Sequence, residues 1–133
     1  MAVRGFSAWM GLSLLMAVSA TPAVAQDAAA GQRVFGQCRA CHTVEQGGRN
    51  GVGPNLHRLF GRRAATVEGF RFSPSMRERA AGGLTWDDET LRAYLRDPKA
   101  VVPGGSMAFA GLRNDQQLND LMAYLRQAAG AAQ

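Results

Sequence analysis

Cys38-Arg39-Ala40-Cys41-His42 holds both cysteines of the 133-residue chain and sets an imidazole directly after the second. C-x-x-C-H is the attachment signature of a c-type haem. Each thiol adds across one haem vinyl to form a thioether, and the two-residue gap lets one turn of backbone span both vinyls. His42 is then delivered to the iron as the proximal ligand. Cys38 and Cys41 are thus the expected covalent attachment points for one haem c.

Three other uses of these residues fit less well. A redox-active dithiol needs a thioredoxin-like βαβ setting, and no alternating apolar strand lies near the motif. A structural disulfide across so small a loop staples almost nothing and leaves His42 without a task. A zinc site would recruit His57 to complete Cys2His2, but the second ligand pair should then be spaced H-x₃₋₅-H rather than lie adjacent to a cysteine.

Residues 1–25 read as an export signal, with Arg4 as the positive start, a mostly apolar run at 8–18, and Pro22 ahead of Ala23-Val24-Ala25 as an A-x-A cleavage site. The mature domain is then expected to cover residues 26–133 and to work in the periplasm. The competing reading is a retained anchor, since no charge falls between Gly5 and Gln26 and about 20 residues just span a bilayer. The short apolar run, Pro22 and the small residues suit a peptidase better.

A domain of this size holds one small core and is marginal unless something else fills it. A covalent haem is a large flat apolar body around which short helices pack, so it serves as core and cofactor together. Export also bears on the thiols: two free cysteines this close would not persist in an oxidising compartment, and thioether formation removes both. Beyond Arg4 the chain carries fourteen basic and ten acidic side chains, net +4, with Lys99 its only lysine. A mild arginine surplus suits an acidic protein partner. No basic run with interleaved aromatics points to nucleic acid.

The remaining chain reads as helices joined by glycine-rich loops. A first helix is predicted over 27–37, with Gly31 and Phe35 on one face; Gly31 marks either a close helix crossing or a glycine that the helix simply tolerates. Residues 43–53 form a loop. Pro54, with φ locked, is a suitable holder for a carbonyl that orients a ligating histidine, whereas His57 reads as a surface or turn histidine. Ser73-Pro74 starts a helix and Gly82-Gly83 stops it, with Met76, Arg77, Glu78 and Arg79 between them expected to be solvated. Thr85-Trp86-Asp87-Asp88 is a capped start for a helix carrying Leu91, Tyr94 and Leu95 and ending at Asp97-Pro98. Trp86 and Tyr94 suit either a plain core or a haem pocket whose propionates need donors. Asn114 caps a last helix running to about residue 129, with Leu118, Leu121, Met122 and Leu125 as its apolar series and Gly130 as its stop.

Pro103-Gly104-Gly105-Ser106-Met107 forbids regular structure and lets the backbone turn a side chain inward. Three methionines follow the export segment. Met122 belongs to the last helix's apolar series and Met76 sits among charges, which leaves Met107 to fold over the open haem face opposite His42.

In this order and spacing, CRACH (38–42), GPNLHRLFGR (53–62), LTWDDETLRAYLRDPK (84–99), PGGSMAFAG (103–111) and DLMAYL (120–125) resemble the class I cytochromes c, over nearly all of residues 26–133. The resemblance implies an all-α fold wrapped on one haem, with His42 and Met107 as axial iron ligands. It also implies that the Pro54 carbonyl orients His42, that Arg62 and Trp86 contact a propionate, and that Tyr94 lies near the Met107 sulfur. Gly31 and Phe35 would cross the last helix near Leu121 and Tyr124. Phe72 and Gly105 stand where mitochondrial members often carry a tyrosine and a threonine that bond a propionate. The shorter spacing from Phe35 to Cys38 and the longer stretch from Gly69 to Trp86 resemble the bacterial branch.

The function implied is a monomeric one-electron carrier, not an enzyme, shuttling between a membrane cytochrome bc-type complex and a terminal acceptor such as an oxidase, reductase or photosynthetic reaction centre. It would meet the membrane only through those partners. Arg39, Lys99 and Arg113 would ring the exposed haem edge, while Gln37, Ala100 and Ser106 stand where relatives often carry lysine. The alternatives are a haem peroxidase or ligand sensor with a labile Met107, and the zinc-structured module.

Overall fold

Each helix begins at a side chain that satisfies its otherwise unpaired amide groups. A computed structural model describes Met1 and residues 26–132; the export segment and cleavage point expected in residues 1–25 lie, Met1 apart, outside the described residues. Helix α1 spans Ala28–Phe35, where the Asp27 carboxylate accepts from the Ala29 and Ala30 N–H groups. Helix α2 spans Pro74–Ala81 and is capped by Ser73. Helix α3, Asp88–Arg96, opens on a reciprocal box between Asp87 and Thr90. Helix α4, Pro98–Val101, is capped by Asp97, and α5, Asp115–Ala128, by Asn114. Among the described residues no strand forms, only isolated bridges from Phe60 to Ala131 and from Arg63 to Thr85. The architecture is all-α. No described helix is long and apolar enough to cross a membrane.

The main helix packing is α1 across α5. It depends on Gly31: a Cβ there would stand 1.9 Å from the Asp120 carbonyl oxygen and 2.8 Å from Tyr124 Cβ. Phe35, one turn on, stacks obliquely on the Tyr124 ring at 5.2 Å. The Asp120 carboxylate, itself buried, accepts the Asp27 N–H at 2.9 Å, so α5 also holds the start of α1. The expected apolar series of the last helix is buried: Leu118, Leu121, Met122 and Leu125 are all 2% exposed or less.

Three expectations are corrected. Helix α1 ends at Phe35 rather than at residue 37, because the chain passes Gly36 into looser turns. Pro98 ends α3 but also starts α4, since Asp97 at φ −151° breaks the helix direction while its carboxylate accepts the Ala100 N–H. Met76 is not solvated. It is 9% exposed and packs in the core with Ala80, four residues on, because α2 turns this one face inward and leaves Arg77, Glu78 and Arg79 outside.

Two tests follow from these contacts. Gly31→Ala forces α1 off α5 and is expected to destabilise by about 1–3 kcal/mol, the usual range for overpacking, read from denaturant unfolding. A loss within a few tenths would show that the crossing has room. The Asp87 carboxyl is held below the usual aspartate range, chiefly by the Thr90 backbone N–H and then by the Thr90 hydroxyl. A lowered folded value means that this stabilisation is present above about pH 4 and is lost as pH falls through the folded value. Asp87→Asn keeps a capping acceptor without a titrating proton. It should therefore leave stability at neutral pH nearly unchanged and flatten the acid limb of a stability-against-pH curve; an unaltered acid limb would contradict this.

Candidate cofactor site

Beyond α1 the backbone keeps helical spacing without forming a helix: the Arg39 N–H donates to the Phe35 carbonyl at 3.1 Å and the His42 N–H to the Cys38 carbonyl at 2.9 Å. Residues three and four apart share a face in such turns, so Cys38, Cys41 and His42 are brought to one side. They line a cleft of about 260 Å³. A packed interior leaves few voids larger than a water molecule, so this cleft is a shaped feature of the fold. Both cysteines are half-buried. Burial, with Cys41 adding to it, pushes the Cys38 thiol up to about 11.

His42 is held by its second nitrogen. Its Nδ1 lies 2.7 Å from the Pro54 carbonyl oxygen. A carbonyl only accepts, so Nδ1 carries the proton and Nε2 keeps the lone pair for a metal. Burial lowers the imidazole's proton affinity and the Pro54 bond partly restores it. The adjoining Gly53 forms a cradle. A Cβ there would stand 2.3 Å from His42 Cε1 and 2.6 Å from Nε2, so the ring lies flat against bare backbone.

The loop that presents Pro54 is braced by two asparagines that sequence reading passed over. Asn55 Nδ2 donates to Thr43 Oγ1 at 2.7 Å and to the Glu45 carbonyl at 3.1 Å. The Asn55 N–H donates to Asn50 Oδ1, while Asn50 Nδ2 donates to the Glu68 carbonyl. Asparagines in a glycine-rich loop are a signal for such local bonding, but its partners are not legible without the fold.

The other expected site residues reach the same cleft. Arg62 lines it while donating through Nη1 to the His57 carbonyl at 2.7 Å and through Nη2 to the Asn55 carbonyl at 3.3 Å. Burial lowers the proton affinity of its guanidinium. With five N–H donors, two of them so engaged, the guanidinium has others to offer an anionic group. Trp86 and Tyr94 line the cleft with ring centroids 4.8 Å apart. Burial pushes the Tyr94 phenol up to about 12, so it stays a neutral hydroxyl. Phe72 also lines the cleft and brings no hydroxyl. His57 is not drawn to the cysteines: among the described residues no cluster of three or more His, Cys, Asp and Glu side chains suited to a metal forms.

Met107 lines the cleft, and so does Met76. The presence of two thioethers in the cleft removes the argument that left only Met107 available. What could have revealed Met76 is its spacing: Met76 and Ala80 are one turn apart in a helix that is otherwise charged.

These residues fit a c-type haem: two thiols, an oriented imidazole, a thioether, a guanidinium and mainly apolar walls converge on one cleft. The family model described as Cytochrome c matches residues 28–129. The chain is 48% identical over 113 residues to "Cytochrome c2" of Blastochloris viridis, covering 85% of this chain and 87% of that protein. It is 52% identical over 92 residues to "Cytochrome c2 iso-2" of Magnetospirillum fulvum, covering 69% and 92%. It is 43% identical over 101 residues to "Cytochrome c-550" of Nitrobacter winogradskyi, covering 76% and 90%.

Gly53→Ala drives a methyl group into the His42 ring and is expected to weaken the bond to Pro54. The check is proton NMR of His42 together with denaturant unfolding. A displaced imidazole and a loss of about 1–3 kcal/mol are expected, and an unmoved ring would show that the loop yields instead.

Proposed function

Because this chain belongs to the cytochrome c family and binds haem c covalently through Cys38 and Cys41, we propose that it is a periplasmic electron carrier with His42 and Met107 as axial iron ligands. That it is an electron carrier rather than an enzyme follows from its family. Met107 lines the same cleft as Cys38, Cys41 and a histidine whose Nδ1 is held by Pro54; Met76 lines it too, and Met107 is preferred because it stands in the PGGSMAFAG stretch that carries the resemblance to the class I cytochromes c. Periplasmic placement rests on the export signal read in residues 1–25.

When bound, the haem supplies one-electron chemistry through Fe(III) and Fe(II). The chain's own residues set the conditions for it. The Pro54 carbonyl fixes the His42 ring and raises its basicity, so the ligand does not rotate between redox states. The Met107 thioether is a neutral, soft donor that favours the reduced metal and raises the potential. Leu59, Leu91, Leu121 and Leu125 make the walls apolar and exclude water, which disfavours the more highly charged state. Arg62 provides a cation at the cleft for a propionate.

Docking is placed at the cleft mouth, where Gln37, Val52 and Ser106 are exposed lining residues. Val52 is 82% exposed. A rim of this kind suits a partner met through an apolar contact with modest electrostatic steering. The donor and acceptor proposed are a membrane cytochrome bc-type complex and a terminal oxidase, reductase or reaction centre.

Two tests separate the parts. Haem should stay with wild-type protein through acid–acetone extraction, and Cys41→Ala should lower the yield of loaded protein severely; haem that extracts freely from wild type would contradict thioether attachment. Met107→Ala should lower the potential, abolish the far-red absorption band of Met–iron ligation and admit external ligands. Met76→Leu, a volume-conserving swap costing less than about 1.5 kcal/mol, should leave that band in place. Loss of the band in Met76→Leu and its survival in Met107→Ala would reverse the ligand assignment.

A further inference from the structure

Lys99 is the chain's single lysine, and its ammonium is engaged: Nζ donates to the Gly105 carbonyl. That carbonyl lies two residues before Met107. On the upstream side, the Gly105 N–H donates to the Val102 carbonyl at 3.0 Å. Gly104 turns at φ 77°, close enough to α2 that a Cβ would stand 2.8 Å from Ser75 Oγ. On the downstream side, the Leu112 N–H donates to the Leu95 carbonyl at 2.8 Å, and Gly111 passes so near the end of α3 that a Cβ would stand 2.1 Å from the Arg96 carbonyl oxygen. Between these anchors no backbone-to-backbone hydrogen bond joins residues 106–111 to the described chain.

Met107 therefore sits on a strap held at its two ends. We propose that Lys99 is a positioning residue that closes the upstream end of this strap, holding the Met107 thioether in the cleft. The proposal rests on the reading of Met107 as an iron ligand. Segments with few backbone bonds open locally at free energies well below that of global unfolding, and a ligand on such a segment leaves the metal as often as the strap opens. The ammonium adds one charge-assisted hydrogen bond at the point where the strap begins. It follows that Lys99 is not a free cation at the docking rim: its removal acts on ligand retention, not only on the attraction of a partner.

The test uses loaded protein as wild type, Lys99→Met, Lys99→Arg and Arg113→Met. Imidazole binding is followed by loss of the far-red band, and amide hydrogen exchange is followed over residues 106–112. Lys99→Met removes the donor at nearly constant size. It should bind imidazole about three- to tenfold more tightly, the size expected for one hydrogen bond of roughly 0.5–1.5 kcal/mol, with exchange in 106–112 faster by a similar factor. Lys99→Arg keeps a donor and should restore most of the wild-type behaviour. Arg113→Met removes the same charge from an exposed residue and should match wild type. If Lys99→Met leaves both readouts unchanged, or changes them no more than Arg113→Met does, the clamp is refuted. A wild type without the far-red band, or a Met107→Ala variant that keeps it, refutes the ligand reading instead, and hydrogen exchange then still judges the clamp alone.

Discussion

The described residues leave a mainly apolar cleft at their centre, and the fold is arranged around that space. Phe35 and Leu121, Trp86 and Tyr94, and Met76 come from four different helices or their flanks, and all of them border one cleft. A large apolar group attached through Cys38 and Cys41 supplies the missing interior. Core and cofactor site are thus one feature, so the residues that stabilise the fold also set the surroundings of the iron.

The rest of the structure positions that cleft. Gly31 lets α1 lie directly on α5, which fixes where the turns carrying Cys38, Cys41 and His42 emerge. Pro54 meets His42 from a loop that Asn50 and Asn55 tie down at several points. Met107 comes from the opposite kind of segment, one anchored at its ends and bare of backbone bonds between them. The imidazole is rigidly placed, and the thioether is held on a strap. On the proposed ligation, this asymmetry makes Met107 the ligand whose retention depends on its surroundings.

Much of this was legible in the chain itself. The caps Ser73, Asp87 and Asn114 announced their helices because N-capping is local chemistry. The attachment motif and the buried face of α5 follow from spacing, and the Gly31 crossing from spacing together with the family resemblance. The misses have physical reasons. Met76 was hidden by its charged neighbours, since a single inward face on an eight-residue helix leaves only two apolar positions to see. Helix α4 was hidden because Asp97-Pro98 reads as a stop while also serving as a start. Lys99 reads as a rim charge, and its bond to Gly105 appears only when the loop is folded. The bonds from Arg62 to the His57 and Asn55 carbonyls are equally a product of the tertiary fold.

The central claim is that Met107, and not the other thioether in the cleft, is the iron ligand opposite His42. The most direct measurement is NMR of the reduced, loaded protein with carbon-13 in its methionine methyl groups, assigned by Met76→Leu and Met107→Leu. A methyl bound above the haem plane lies in the ring-current shielding region and is carried far upfield of the others. The account predicts one such signal, present in Met76→Leu and absent from Met107→Leu. No upfield methyl in wild type, or one that disappears with Met76, would contradict it.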